Sequence, residues 1–178
     1  IWLYLLYPFS LIFKMVSSFR KNRLQSKSLS KPKPIIPIIV VGNITIGGTG
    51  KTPLVKYIAQ NLQKLGYKPG LVSRGYGGKY KETLRVDEST SVKQTGDEAQ
   101  ILSTLGLPFY IDKNRLRAVN KIIKETDCNV IISDDGLQHY NMHRDIEILV
   151  IDGKRRFGNN LLFPAGPLRE SRKRSEEV

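Results

Sequence analysis

Cysteine is almost absent from this sequence, and the first part of the chain contains no acidic residue. The one cysteine, Cys128, excludes an internal disulfide bond and a cysteine cluster for a metal ion, and it suits a reducing compartment. No Asp or Glu precedes Glu82, whereas residues 1–81 carry 14 of the 29 Lys and Arg residues. The net charge of +13 therefore comes from the N-terminal part, and it favours an acidic partner: anionic lipid, a phosphorylated ligand or nucleic acid.

Charged residues are also missing from the first 13 positions, five of which are aromatic. A helix of this length spans only about 20 Å, less than the roughly 30 Å of a bilayer's hydrocarbon core. We interpret residues 1–19 as a membrane-anchor or interfacial helix, and residues 20–34 as a basic, proline-containing linker beside anionic headgroups on the cytoplasmic side. A helix packed on its own domain is the alternative, because Pro8 interrupts the apolar run.

From residue 35 onward, short apolar runs alternate with helix-compatible segments. The predicted strands are Ile38–Val41, Gly70–Ser73, Phe109–Ile111, Val130–Ser133 and Ile146–Ile151. The predicted helices are Thr52–Leu65, Gly96–Leu105 and Lys113–Glu125, with Gly66 and Gly106 as C-terminal caps. Short apolar strands separated by helices indicate an α/β domain over residues 35–178: a P-loop NTPase-like parallel sheet with helices on both faces.

The segment Val40–Pro53 has the pattern of a phosphate-binding loop between a strand and a helix. Its glycines allow backbone N–H groups to approach phosphate closely, and the N-terminus of the following helix adds partial positive charge. Lys51 would neutralise phosphate oxygens, and the Thr52 hydroxyl would bind Mg²⁺. The usual pattern has glycine at the position of Thr45, so this loop is a variant. A flexible glycine-rich hairpin is the alternative.

Two carboxylates follow the apolar run Val130–Ser133. Ligands bind at the carboxyl ends of parallel strands, and a P-loop enzyme needs an acid there for Mg²⁺. Adjacent side chains on a strand point in opposite directions, so we expect one of Asp134 and Asp135 to face the metal directly unless the strand has already turned. An acidic turn without a metal is the alternative. Gln138 and His139 come next, and His139 could bind a phosphate or hydroxyl group, although a lone histidine is usually structural.

Three further segments contain residues suited to binding or catalysis. Asp97 lies at the predicted start of a helix, where the sequence alone favours a helix-capping role. The segment Ser73–Gly78 follows a strand, and its glycines allow close approach while its Arg and Tyr suit an anionic sugar or lipid headgroup. The segment Asp152–Glu170 is a long loop rich in Gly, Pro and Arg, and such Arg residues suit phosphate clamping.

Together these segments resemble the tetraacyldisaccharide 4'-kinase family, the lipid A kinases of Gram-negative bacteria. The resemblance rests on Val41–Asn43 with Gly47–Pro53, Ser73–Gly78, Gly96–Ala99, Asp134–His139 and Asp152–Glu170, in that order. It implies ATP- and Mg²⁺-dependent transfer of the γ-phosphoryl group to the 4'-hydroxyl of a lipid-linked glucosamine disaccharide 1-phosphate at the inner membrane. Family members continue into a second lobe that helps to close the active site, so the resemblance also implies that this chain stops near the end of the first lobe.

The resemblance further implies roles for individual residues. ATP would be held by Thr45, Ile46, Gly47, Gly48, Thr49, Gly50, Lys51 and Thr52. Mg²⁺ would be bound by Thr52 and by Asp134 or Asp135. The catalytic candidates are Lys51, His139 and Asp97, of which Asp97 becomes the general base for the hydroxyl group instead of a helix cap. The substrate candidates are Tyr76, Gln138, Arg169 and Glu170.

Other classes of protein fit the sequence less well. The main alternative is a membrane-associated ATPase switch of the partitioning or cell-division class, but that class has a signature Lys where this chain has Ile46. A GTP-binding switch would need an Asn-Lys-x-Asp tetrapeptide, and Asn120–Ile123 lacks its acid. A nucleic-acid-binding module would use the basic excess but would leave the paired acids at a strand end unexplained, so we expect no nucleic-acid partner.

Overall fold

The computed structural model describes residues 2–29 and 33–178. Its helices are α1 (Trp2–Leu29), α2 (Lys51–Lys64), α3 (Val92–Thr95), α4 (Asp97–Ser103), α5 (Arg115–Glu125) and a 3₁₀ helix (Arg172–Glu176). Its strands are β1 (Ile38–Gly42), β2 (Pro69–Ser73), β3 (Leu84–Arg85), β4 (Phe109–Ile111), β5 (Val130–Asp134) and β6 (Ile146–Leu149). Ile1 and residues 30–32 of the predicted linker lie outside the described residues.

The six strands form one sheet in the order β3-β4-β2-β5-β1-β6. All neighbouring strands are parallel except β3 and β4. Alternate residues of a strand face opposite sides of the sheet. Ile39 and Val41 of β1 therefore pack in one core with α2 and α4, whereas Ile38 and Val40 pack in the other core with α5. The predicted α/β class, a parallel sheet with helices on both faces, is confirmed, except that the edge pair β3–β4 is antiparallel.

The sheet order determines which loops meet. β1 lies between β5 and β6, and Val41 of β1 is in register with Asp134 of β5 and Ile148 of β6. Parallel strands end at the same edge, so the loops that follow β1, β5 and β6 begin side by side. The loop after β2 starts at this edge as well, because β2 pairs with β5.

The strands and helices predicted after residue 35 are all present, and all except β4 have shifted ends. β6 ends at Leu149 instead of Ile151, and the predicted helix from Gly96 begins at Asp97. Gly96 has a φ of 80° and separates α3 from α4. The sequence analysis does not predict β3, α3 or the 3₁₀ helix, which are only 2, 4 and 5 residues long and contain no full period of an apolar pattern.

The N-terminal helix is longer than predicted. α1 runs to Leu29 with Pro8 inside it, so residues 20–29 of the predicted linker are helical, and the expected change of structure after residue 19 is wrong. The Ser10 hydroxyl donates to the Leu162 carbonyl (2.9 Å), and the Phe13 and Phe163 rings lie edge to face at 5.9 Å. These contacts dock α1 on the body of the domain. Among the described residues, no helix has the length and apolar character needed to cross a membrane.

Candidate active site

The phosphate loop connects β1 to α2, and one buried amide supports it from within. The Asn43 side chain is fully buried, and its Nδ2 atom donates to the Gly47 carbonyl (3.3 Å) and to the Thr49 hydroxyl (3.1 Å). Gly47 and Gly50 have φ angles of 97° and 79°, which residues with a Cβ rarely adopt. Gly50 is the N-cap of α2, so Lys51 is the first residue of the helix. The glycines found in the sequence therefore make the sharp turn from β1 into α2.

A second segment pairs with the phosphate loop from the far end of the chain. The Ile46 N–H donates to the Pro167 carbonyl (2.8 Å), and the Arg169 N–H donates to the Ile44 carbonyl (2.7 Å). This pairing brings Arg169 and the next residue, Glu170, to the sheet edge. The family resemblance includes both residues in the candidate site, and the structure places them beside the loop.

The two acids at the end of β5, Asp134 and Asp135, have different surroundings. Asp135 has a φ of 50°, so the chain has already turned out of the strand at this residue. Its carboxylate lies 3.4 Å from Lys51 Nζ and 3.4 Å from Arg169 Nη1. The Lys51 contact is an ionic one, since Asp135 Oδ1 has no hydrogen-bond partner within residues 2–29 and 33–178. The structure thus joins Lys51, Asp135 and Arg169 in one ionic cluster.

Asp134 is buried in a way that suits a cation. Its side chain is 2% exposed, and neither carboxylate oxygen has a hydrogen-bond partner among the described residues. Burial, followed by the charges of Asp135 and Glu98, raises the pKa of Asp134 to about 6. Oxygen ligands are those that Mg²⁺ prefers, and one or two carboxylates suffice where phosphates complete the coordination. The residues present therefore fit the predicted metal, although the described residues contain no cluster of three or more His, Cys, Asp or Glu ligands.

A buried arginine supports the strand end that carries Asp134. Arg115 is 1% exposed, and it donates to the carbonyl oxygens of Asp112 (2.9 Å) and Asp134 (3.0 Å). Burial lowers the pKa of Arg115 to about 10, and the charges of Asp134 and Asp135 oppose that shift, so the guanidinium stays charged. Arg115 is not among the residues predicted from the sequence. It is the first residue of α5, and no sequence motif surrounds it.

Asp97 lies at the start of α4 without capping it. The N-cap is Gly96, so Asp97 is the first residue of the helix, and its side chain is exposed. The N-cap position that the sequence favours for Asp97 is therefore wrong, although its charge lies in the first turn of α4. A Cβ on Gly96 would lie 1.9 Å from the Tyr76 carbonyl, and one on Gly78 would lie 2.2 Å from the Gln94 carbonyl. The glycines therefore allow the Ser73–Gly78 loop to pack directly against the turn before α4. Tyr76 itself is exposed.

Gln138 and His139 face a cavity that the sequence does not reveal. Gln138 Nε2 donates to the Asn43 carbonyl (2.9 Å), which ties the loop after β5 to the end of β1. Burial, followed by the positive charges of Arg115 and Arg74, lowers the pKa of His139 to about 3, so its ring is neutral. The cavity has a volume of about 450 Å³ and lies between α1 and this loop. Its lining comprises Val16, Phe19, Arg20, Arg23, Leu24, Lys113, Asn114, Gln138, His139 and Asn141.

Glu170 is held by a buried network at the other side of the same loop. The Tyr140 hydroxyl donates to Glu170 Oε2, and Arg174 of the 3₁₀ helix lies 3.9 Å from the same oxygen. Arg174 is 5% exposed and donates to Glu147 of β6 (2.5 Å). The other oxygen, Glu170 Oε1, is buried and has no hydrogen-bond partner among the described residues. The network orients Glu170 and leaves one of its oxygens for a ligand.

Comparison with known proteins gives a consistent result. The model of the family described as tetraacyldisaccharide-1-P 4'-kinase, LpxK, matches residues 2–178. Proteins called tetraacyldisaccharide 4'-kinase from Shewanella amazonensis and Methylobacillus flagellatus are 48% and 45% identical to 98% and 99% of this chain. These alignments cover 50% and 53% of the two proteins, so the chain spans about half the length of the curated relatives it matches.

The fold also matches a solved structure of the same family. The crystal structure of LpxK from Aquifex aeolicus in complex with ATP has a TM-score of 0.84 to this chain at 34% identity. The match covers 96% of this chain and 55% of that one. Sequence and fold therefore agree over nearly the same residues, and the chain belongs to the tetraacyldisaccharide-1-P 4'-kinase family.

Proposed function

We propose that the protein is an ATP-dependent kinase that transfers the γ-phosphoryl group to the 4'-hydroxyl of a tetraacyl glucosamine disaccharide 1-phosphate in lipid A biosynthesis. The observation that carries this proposal is the meeting, at one sheet edge, of a phosphate loop and a buried carboxylate without hydrogen-bond partners among the described residues. Phosphoryl transfer depends on positioning and charge neutralisation, and these groups supply both. Membership of the kinase family supports the choice of reaction and acceptor.

The phosphate loop would hold ATP. Residues Thr45–Thr52 would surround the phosphates with backbone N–H groups, and Lys51 would neutralise the β- and γ-phosphate oxygens. Asp134 and the Thr52 hydroxyl would hold Mg²⁺, which when bound neutralises charge on the phosphates. Asp135 lies within reach of both Lys51 and Arg169, so it would hold these two cations at the site.

Asp97 would accept the proton of the attacking hydroxyl. Its carboxylate is exposed at the first residue of α4. The 4'-oxygen would bond to the γ-phosphorus while the bond from that phosphorus to the β,γ-bridging oxygen breaks, and ADP would leave with that electron pair. His139 would act as a neutral hydrogen-bonding group beside the acceptor, because its lowered pKa excludes a positive charge at neutral pH.

The cavity between α1 and the loop after β5 suits the acceptor. Three cations, Arg20, Arg23 and Lys113, line it together with apolar side chains of α1. A phosphorylated sugar that carries acyl chains has the same combination of negative charge and apolar surface. Gln138 and His139 also line this cavity. Tyr76, Arg169 and Glu170 would contact the sugar nearer the phosphate loop.

The outer side of α1 would bind the membrane that contains this lipid. Its exposed apolar side chains outside the cavity include Tyr4, Phe9 and Met15. Basic residues in the second part of the helix would contact anionic headgroups. We place the enzyme on the cytoplasmic face of the Gram-negative inner membrane, where ATP is available.

The test is transfer of label from γ-labelled ATP to the disaccharide 1-phosphate in mixed micelles with Mg²⁺. Lys51→Ala is expected to lower kcat by roughly 100-fold or more, since it removes a cation that stabilises the transferred group. Lys56→Ala is the matched control, because Lys56 is an exposed lysine of the same helix. ATP hydrolysis that anionic vesicles stimulate, without labelled lipid, would contradict the kinase proposal and favour the ATPase switch.

A further inference from the structure

Arg155 lies over the phosphate loop, and the proposed transfer assigns it no individual role. Its position follows from the order of the strands, since β6 pairs with β1. The Val150 N–H donates to the Gly42 carbonyl (2.8 Å), so this pairing extends to the residue where the phosphate loop begins. The chain after β6 therefore turns directly beside the loop after β1.

The turn itself aims the Arg155 side chain. Asp152 Oδ1 accepts hydrogen bonds from the N–H groups of Lys154 (3.0 Å) and Arg155 (2.8 Å). Asp152 Oδ2 lies 3.3 Å from Arg155 Nη2, and the same Nη2 atom donates to the Gly48 carbonyl. Arg155 Nη1 lies 3.4 Å from the position that a Cβ on Gly47 would occupy. The guanidinium is thus held over the tip of the loop by a carboxylate of its own turn.

A guanidinium in this place is suited to a phosphate group. It has five N–H donors in one plane, and it can donate two parallel hydrogen bonds to phosphate oxygens. The contacts with Asp152 and with the Gly48 carbonyl both use Nη2, and the side chain is 60% exposed. Lys51 approaches the loop from α2, where it contacts Asp135, whereas Arg155 approaches from β6. A phosphate on the loop would therefore have a cation on each side.

We propose that Arg155 binds the γ-phosphate of ATP and stabilises the negative charge on it during transfer, as an arginine finger supplied by the same chain. This inference rests on the proposed function. No covalent step is added, because Arg155 would act only through hydrogen bonds and charge. The Gly48 carbonyl would be exchanged for phosphate oxygens by a rotation of the guanidinium alone.

The test compares the affinities of the chain for ATP and ADP with Mg²⁺, measured by calorimetry. Arg155→Ala is expected to weaken ATP binding about tenfold and ADP binding less than about twofold, because only ATP has the γ-phosphate. Arg155→Lys is expected to fall between, since lysine keeps the charge and loses the paired hydrogen bonds. Arg156→Ala is the matched control: Arg156 is the adjacent exposed arginine, and it is expected to leave both affinities unchanged.

The outcomes separate this inference from the proposed function. An equal ratio of ATP to ADP affinity in Arg155→Ala and the unsubstituted chain would overturn the role of Arg155 and leave the kinase proposal intact. Tighter binding of both nucleotides by Arg155→Ala would also overturn it, since Arg155 would then only brace Gly48. A failure of the unsubstituted chain to bind ATP would instead overturn the proposed function.

Discussion

Asp134 combines two requirements that conflict in the absence of a cation. A metal site needs an ionised carboxylate, but burial at 2% exposure disfavours the charge and raises the pKa to about 6. The folded chain therefore keeps this proton to a higher pH than the unfolded chain, whose Asp has its ordinary pKa of about 3.9. Below about pH 4 the acid costs no stability, and above about pH 6 it costs about 3 kcal/mol.

This difference predicts a pH-dependent gain in stability for Asp134→Asn. Above about pH 6 its free energy of unfolding should exceed that of the unsubstituted chain by up to about 3 kcal/mol, and the gain should shrink as the pH falls toward about 4. Urea denaturation at about pH 8 and about pH 5 measures both values. Glu82→Gln is the control, because Glu82 is exposed. A gain of the same size at both pH values would contradict the assignment of the cost to this carboxyl.

Residues with local motifs were predictable, and residues with distant partners were not. Lys51 and Asp134 follow apolar strands, so the sequence placed them at the sheet edge. Arg115, by contrast, contacts the Asp134 carbonyl only because α5 packs on the sheet against β4 and β2, and its sequence neighbours do not indicate this. For Asp97 a local pattern gave a wrong prediction. Acids are common at helix starts, which suggested that Asp97 is the N-cap, but Gly96 occupies that position.

At the scale of the elements, the 3₁₀ helix is joined to the sheet by buried charges. Arg174 donates to Glu147 of β6, which also pairs with Arg144 (2.7 Å), and these hydrogen bonds hold the pKa of Glu147 below its usual value despite burial. Cation–π contacts also stabilise this network, because the guanidinium groups of Arg144 and Arg174 lie 5.3 Å and 5.8 Å from the centroid of the Tyr140 ring. The same element therefore positions Tyr140 and, through it, Glu170.

Arg174→Ala is expected to destabilise the fold by about 3 kcal/mol, because it leaves the half-buried Glu147 with one cation and removes packing from Tyr140. Thermal denaturation measures the loss. Lys173→Ala changes the adjacent, exposed position of the same 3₁₀ helix and should shift the free energy of unfolding by less than about 0.5 kcal/mol. Equal losses in the two variants would show that the element contributes through its backbone and not through the Arg174 network.

The elements themselves were predictable where an apolar run is bounded by glycine. β1 and α2 satisfy this rule, and Gly66 follows α2 with a φ of 83°, as expected of a C-terminal cap. β3 is two residues long and exists because it pairs with β4, a long-range contact that no local pattern encodes. The helical continuation of α1 was missed because its basic residues resemble a linker in composition, although nothing in them opposes a helix before the prolines.

At the scale of the whole molecule, α1 contacts the domain at two positions along its length, Ser10 and Lys21. Ser10 bonds to the segment around Leu162 and Ala165, and Lys21 pairs with Glu177 (2.5 Å). Lys21 also lies 5.6 Å from the Tyr140 ring centroid. One side of the helix thus faces the candidate site, while Tyr4, Phe9 and Met15 remain 59–82% exposed and do not line the cavity.

This arrangement predicts that the outer side of α1 controls binding to bilayers. The double substitution of Tyr4 and Phe9 to serine should lower partitioning into anionic phospholipid vesicles by about tenfold or more, because each large apolar side chain contributes about 1.5–3 kcal/mol when it leaves water. Vesicle co-sedimentation measures the effect, and Tyr57→Ser is the control because Tyr57 is similarly exposed on α2. Partitioning should also fall with added salt, since basic residues of α1 would contact the headgroups. Equal partitioning by the double variant, the control and the unsubstituted chain would show that another surface meets the bilayer.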